Sequence, residues 1–218
     1  GRHGWNAHDY RAVDLADFFT AASDDVLNNL ELALRETLIR EGIIVSANGG
    51  KGEGRFAPGK ERFAPGKGGI ISISQESYPY LRNLFMVHEG WHGVFFADHE
   101  FRDLAFDIWQ NLDYEERFFW RRFLVSRNYN SDDEYLMVNE FQAYILQQPL
   151  DRVIPYFRGW AVPKFKTEIP SWAGDTDRFL RDFPDTFLRT ANLFVGTSWP
   201  GARVHPGSLF CLVPFEED

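Results

Sequence analysis

The chain has 218 residues, enough for one large or two small domains with a substantial buried core. Aromatic residues make up 17% of it, with 21 Phe and 7 Trp, a composition that favours a well-packed helical body. The net charge of −9 argues against nonspecific nucleic-acid binding, and no apolar run is long enough to span a bilayer, so we expect a soluble protein.

The N-terminal part predicts two helices and a first strand. Residues 14–19 indicate a short helix, and segment 23–25 has the Ser and Asp residues that cap helices. We therefore expect an amphipathic helix that starts there, ends near Glu41 and is terminated by Gly42. The Ile-Ile-Val sequence of residues 43–45 predicts a strand.

A long predicted loop over residues 47–68 carries a tandem repeat. The hexapeptide Arg-Phe-Ala-Pro-Gly-Lys occurs at 55–60 and again at 62–67, and each Pro-Gly pair is typical of a type II turn. Within residues 51–67, five basic residues stand against two acidic ones. The charge suits a mobile flap that favours acidic substrates; the alternative is a surface loop lengthened by local duplication. Residues 69–74 predict a second strand.

The most informative segment follows this strand, because residues 88–92 read His-Glu-Gly-Trp-His, the HExxH motif. The motif lies within a predicted helix over residues 78–97. Two histidines four residues apart lie on one helix face, so the imidazoles of His88 and His92 can reach one metal ion. Imidazole is a natural zinc ligand, and Glu89 is placed to act as a general base toward water on that ion.

The apolar stripe of this helix shows which face the two histidines occupy. Leu81 and Phe85 share their face, and Phe95 extends it, so the histidines leave the buried side of the helix. The alternative is a pair of core histidines with backbone partners. A glutamate directly after the first histidine argues against that alternative.

A catalytic zinc ion needs three protein ligands, and three residues after the motif are candidates for the third. Asp98 and His99 come soon after it. Phe95, however, stands where the pattern HExxHxxGxxH has the glycine that lets the chain turn back, which disfavours this route. Asp98 stays a possible ligand, and His99 lies one residue off the register of the pattern. Two predicted helices over residues 100–112 and 114–125 then form a spacer.

The third candidate, Glu140, lies in a predicted helix over residues 131–148. Ser131 and Glu134 match a capping box, and Pro149 ends the pattern. Past its first turn this helix is apolar nearly all round, so we expect it to be buried. A carboxylate in the middle of a buried helix must be paired or must bind a metal ion.

The C-terminal part beyond Pro149 is rich in Pro and aromatic residues, and it predicts one more helix, over 175–194, interrupted at Pro184. Cys211 is the single cysteine, which excludes an internal disulfide and leaves the compartment undecided. The sequence starts at Gly1 without an initiator Met, so we expect a processed form or an excised domain. A secreted or periplasmic location therefore stays open.

The HExxH motif together with the NExxA sequence of residues 139–143 resembles the gluzincin group of zinc metallopeptidases. In that group a glutamate on a later helix completes the zinc site. The resemblance implies that His88, His92 and Glu140 bind one catalytic zinc ion. It also implies that Glu89 activates water.

The resemblance further implies a donor that stabilises the oxyanion, commonly a Tyr, His or Arg beyond the zinc helices. Tyr144 lies one turn after the ligand glutamate and is the first candidate. Tyr129, Tyr135 and His205 are alternatives, and for each of these a packing or surface role competes. Thermolysin-like members carry an aspartate at the position of Tyr144 that holds a zinc histidine, so other groups must do so here.

The implied fold is α+β and mainly helical: a zincin-like metallopeptidase fold with a small N-terminal sheet, the HExxH helix and a helical C-terminal lobe. We expect one catalytic domain over residues 1–218, in two lobes of about 1–98 and 99–218, the second supplying the third ligand. In zincins the strand before the motif helix borders the cleft. Residues 69–75 are therefore predicted to pair with an extended peptide, unless they form an ordinary core strand.

These expectations define a zinc-dependent metallopeptidase that acts on peptide or protein substrates. They favour an endopeptidase over an exopeptidase. One alternative keeps zinc hydrolysis but changes the substrate to a non-protein amide. Another is an inactive zincin-like binding domain. The oligomeric state stays open, and no nucleic-acid partner is expected.

Overall fold

The computed structural model describes residues 7–22, 24–47, 62–74, 77–196 and 206–207. These residues are mainly helical with two small two-stranded sheets, which confirms the coarse fold prediction. None of the described helices is long and apolar enough to cross a membrane. In chain order the elements are β1 (Ala7–Arg11), α1 (Ala12–Ala21), α2 (Asn29–Arg40), β2 (Ile44–Ser46), β3 (Phe63–Pro65), β4 (Gly69–Ile73), α3 (Pro79–Ala97), α4 (His99–Asn111), α5 (Tyr114–Val125), α6 (Glu134–Leu146), α7 (Leu150–Tyr156), α8 (Val162–Glu168), α9 (Ala173–Asp182) and α10 (Thr186–Gly196).

The chain divides into two compact units. The N-terminal unit comprises residues 8–72 and contains α1, α2, β2 and β3. The helical unit comprises Ala7 and the described residues from Ile73 onward, and it contains α3 to α10. The single two-lobed domain inferred from the sequence stays a prediction.

Most elements with clear periodicity lie where the sequence places them. Local apolar spacing and a Pro at the first helical position are sufficient to locate α3, for example. The confirmed predictions are the helices over 14–19 (α1), 78–97 (α3), 100–112 (α4) and 114–125 (α5), the strands over 43–45 (β2) and 69–74 (β4), and the helix over 175–194 with its interruption at Pro184 (α9 and α10).

In the N-terminal unit, part of the predicted loop over 47–68 is a strand. β3 pairs antiparallel with β2, and the buried ring of Phe63 contacts Phe19 of α1 with centroids 6.5 Å apart. The loop prediction was wrong over β3 because Phe63 gains a core there that its Pro-Gly surroundings do not reveal. The first copy of the repeat, 55–60, lies outside the described residues, so the flap stays a prediction.

Helix α2 begins later than the predicted cap at 23–25. Asn28 is the N-cap, and its side chain accepts hydrogen bonds from the backbone N–H groups of Leu30 and Glu31 at 2.9 and 3.0 Å. Glu31 completes a capping box, which outweighs the generic capping preference of Ser and Asp upstream. Gly42 ends the helix with φ +68°, as predicted.

In the helical unit, α3 packs against α6 through an aromatic core. Every residue of 137–143 is buried, which confirms that α6 is a buried helix. The predicted capping box of Ser131 and Glu134 was wrong, because Asp133 is the N-cap and accepts from the Leu136 N–H at 3.0 Å. The largest fully buried side chains in this unit are Trp91, Trp109, Trp120, Phe95, Phe101, Phe123, Phe141, Phe157, Phe165, Phe187 and Phe194.

Residues 150–168 are helical, although the sequence predicted no helix between Pro149 and Asp175. α7 continues through a π-helix over Phe157–Ala161 into α8. Pro155 lies inside α7, where it removes one backbone donor, and the π-helical turn follows directly after it. Burial of Phe157 in the core outweighs this local cost, which periodicity alone does not reveal.

Candidate metal centre

Helices α3 and α6 bring His88, His92 and Glu140 together. His88 Nε2 lies 3.5 Å from Glu140 Oε2, and His92 Nε2 lies 3.6 Å from Glu140 Oε1. All three residues are buried, and one ligand atom from each lies within 4.8 Å of the others. The two α3 residues share a helix face because they are one turn apart, and α6 presents Glu140 to that face.

These separations fit one metal ion. A tetrahedral zinc site with bonds of about 2.0–2.1 Å has neighbouring ligand atoms roughly 3.3 Å apart. The observed Nε2 to carboxylate distances of 3.5 and 3.6 Å are close to that value. A buried carboxylate is also costly without a compensating cation. The three residues could therefore hold a metal ion.

The second ring nitrogen of each histidine is held by a side-chain amide. His88 Nδ1 lies 3.1 Å from Gln147 Oε1, and His92 Nδ1 lies 2.9 Å from Asn139 Oδ1. An amide oxygen only accepts, so both Nδ1 atoms carry a hydrogen, and each Nε2 atom is directed toward Glu140. The Gln142 amide donates to Asn139 Oδ1 at 3.3 Å, which supports that orientation of Asn139.

Glu89 lies next to His88 on a cleft of about 620 Å³. It is 6% exposed and does not belong to the His88, His92 and Glu140 group. Its side chain lines the cleft directly beside the metal group. Such a position suits a proton acceptor.

Tyr129 and Tyr144 border the same cleft. The Tyr144 ring packs edge-on against His88 with centroids 4.8 Å apart. The Tyr129 hydroxyl hydrogen-bonds to Glu140, and Tyr144 hydrogen-bonds to Tyr129. Burial, and then the nearby Glu140 charge, raise the pKa of both phenols well above their usual value. Both hydroxyls thus stay protonated at neutral pH. Each has one hydrogen to donate, and that of Tyr129 is directed at Glu140.

The remaining sequence candidates have other surroundings. The Asp98 carboxylate caps α4 by accepting from the Phe101 N–H at 2.9 Å, and His99 is exposed. Tyr135 packs in an edge-on contact with Phe95, so it belongs to the core. His205 lies outside the described residues.

The sequence interpretation missed the groups that orient the histidines. Gln147 comes seven residues, or about two helical turns, after Glu140, so the stripe Glu140, Tyr144, Gln147 was a usable signal. Asn139 belongs to the NExxA motif, but the motif does not indicate that its side chain orients a histidine. Nothing in the local sequence indicates that Arg127 lines the cleft, because Arg127 follows the end of α5 and reaches the cleft only through packing.

The geometry defines a mainly helical protein with a buried His-His-Glu group, of which His88 lines a cleft. No known protein family model, curated protein or solved structure matches this chain. The inference about function therefore rests on the residues of this group and on their surroundings.

Proposed function

We propose that the protein is a zinc metallopeptidase whose helical unit has a zincin-like arrangement, with zinc bound by His88, His92 and Glu140. One observation carries the proposal: the buried histidines direct both Nε2 atoms to a shared carboxylate, beside Glu89 at the cleft. A purely structural pair of core histidines does not need two amides that fix the same tautomer. Nor does it need a carboxylate between the two rings.

Each residue of the site has a role in peptide hydrolysis. A bound zinc ion would supply Lewis-acid chemistry, polarising the scissile carbonyl and lowering the pKa of water to about 7. Glu89 takes the proton of the attacking water and passes it to the leaving amine. Tyr144, with Tyr129 behind it, donates a hydrogen bond to the oxyanion. Asn139 and Gln147 hold the imidazole rings in place.

Metal analysis combined with chelation tests this proposal. Purified protein should contain about one zinc per chain. A chelator should abolish cleavage of a peptide library, and added zinc should restore it. Zinc without cleavage would favour the inactive binding domain or a non-protein substrate, which small amide substrates would then separate. Absence of zinc after incubation with the metal would refute the proposal.

Replacement of Asn139 by Ala is expected to weaken zinc binding about 10- to 100-fold, as for other partners of metal-bound histidines. The cause is the lost acceptor for His92 Nδ1–H, which leaves the ring free to rotate and to change tautomer. Competition with a fluorescent zinc indicator measures the affinity. The matched control is Asn111→Ala on α4, an exposed position that should bind zinc like the unchanged protein. Equal affinity in both variants would refute a role for Asn139.

A further inference from the structure

The cleft beside the metal group has an apolar and aromatic wall. Residues from the first turns of α3 line one side, and Tyr156 and Trp160 line the side formed by α7 and the π-helix. Trp160 is half-exposed and forms part of the rim. This lining suits the side chains of a peptide, but by itself it does not select a charge.

Arg127 is one of two cations within this lining. Its side chain is only 14% exposed, and Nη1 donates to Glu168 at 2.8 Å. Its Nη2 atom is buried and makes no hydrogen bond to any described residue. A buried donor without an acceptor is costly, so this edge of the guanidinium suits a ligand that supplies one.

A neighbouring phenol shows where the Arg127 charge acts. Burial raises the pKa of Tyr156 to about 12, whereas a hydrogen bond with Gln147 and the Arg127 charge oppose that rise. The Arg127 charge therefore acts on Tyr156, which lines the same cleft.

A second cation reinforces the first. Lys164 lines the same cleft, with Nζ 3.8 Å from Glu168 Oε1 and 5.3 Å from the Trp160 ring. Arg127 and Lys164 thus share the single carboxylate of Glu168, and these three side chains carry a net charge of +1. The charge favours an anionic group in the adjacent part of the cleft.

We propose that the cleft binds its substrate through a carboxylate that accepts hydrogen bonds from Arg127 Nη2, with Lys164 as a supporting cation. This inference rests on the proposed peptidase function and adds the chemical class of the substrate. The carboxylate belongs either to the C-terminus of a peptide or to an acidic side chain. Arg127 is accordingly a specificity residue.

Four short blocked peptides of one aromatic sequence test the proposal. One pair differs in a free or an amidated C-terminus, and the other, amidated, pair differs in an internal Glu or Gln. Binding is measured by calorimetry on zinc-loaded Glu89→Gln protein, in which turnover is expected to be lost. The carboxylate member of one pair should bind about 10- to 100-fold more tightly than its neutral partner, as for a charge-assisted hydrogen bond. The pair that shows the difference identifies the source of the carboxylate.

Two variants, added to this Glu89→Gln protein, separate recognition by Arg127 from support of the fold. Arg127→Gln should abolish the preference. Glu168→Gln breaks the same ion pair but retains the cation, so it should keep or increase the preference. Loss of the preference in both variants would assign Arg127 a structural role and overturn the proposal. Thermal denaturation checks that both variants fold. The comparison of the four peptides does not depend on either variant, because it uses protein in which Arg127 and Glu168 are unchanged.

The remaining outcomes separate this inference from the proposed function. Equal binding of all four peptides overturns the inference, whatever the activity. A preference that survives Arg127→Gln but disappears on chelation also overturns it, because the carboxylate then binds the metal. A preference that depends on Arg127, in a protein that cleaves no peptide when Glu89 is present, supports the binding site and refutes the peptidase.

Discussion

Replacing Glu89 by Gln is expected to lower kcat for peptide hydrolysis about 10²- to 10⁴-fold, the range found when a general base is removed. Gln has nearly the same shape as Glu but cannot accept the proton of the attacking water. Glu89 lies outside the His88, His92 and Glu140 group, so the zinc content should not change. Steady-state cleavage rates and elemental analysis of the same preparation measure both quantities.

The matched control for this change is Glu115→Gln on α5, an exposed position outside the cleft. It makes the same chemical replacement and should leave kcat and zinc content as they are. A Glu89→Gln protein that retains the unchanged cleavage rate would show that another group takes the proton. Loss of zinc together with activity would instead mean that Glu89 supports the metal site.

Replacing Glu140 by Ala is expected to remove most of the bound zinc. The loss of affinity should be at least as large as the roughly 100-fold upper limit for a residue that only orients a ligand. The change deletes one of three ligands and leaves two histidines on a single helix. Elemental analysis after dialysis against a weak chelator measures the content, and peptide cleavage should fall with it.

A control variant and a comparison variant show how the zinc content of Glu140→Ala is to be interpreted. Glu115→Ala serves as the exposed control and should retain zinc. If Glu140→Ala also retains zinc at one ion per chain, the third ligand lies elsewhere and the resemblance to gluzincins is refuted. Asp98→Ala provides the opposite comparison, because its carboxylate caps α4 in this structure. That variant should lose some helix stability, about 1 kcal/mol, but no zinc.

The caps show why sequence alone misplaces boundaries. Ser, Asp and Asn all satisfy the first N–H groups of a helix, so several neighbouring residues compete on equal terms. The N-cap of α2 is Asn28 and not a residue of the predicted segment 23–25, and the N-cap of α6 is Asp133 and not Ser131. In α6 the residues from Met137 to Ala143 are buried in a core. That core comes from distant parts of the chain.

Local chemistry was sufficient for part of the site. Four-residue spacing on a helix places His88 and His92 on one face whatever surrounds them, and the apolar sequence around Glu140 indicates a buried carboxylate. These inferences depend only on helix geometry and on the cost of burying charge. They hold before any tertiary contact is known.

The sequence by itself therefore determined the mainly helical class, the motif helix and the candidate ligand pair on it. Only the tertiary structure placed Glu140, rather than Asp98 or His99, opposite both histidines, and only it assigned Asn139, Gln147 and Arg127 their surroundings. The physical reason is the distance along the chain over which each effect acts. Periodicity and capping act within a few residues, whereas a metal group and its cleft are assembled by packing between helices far apart in the chain.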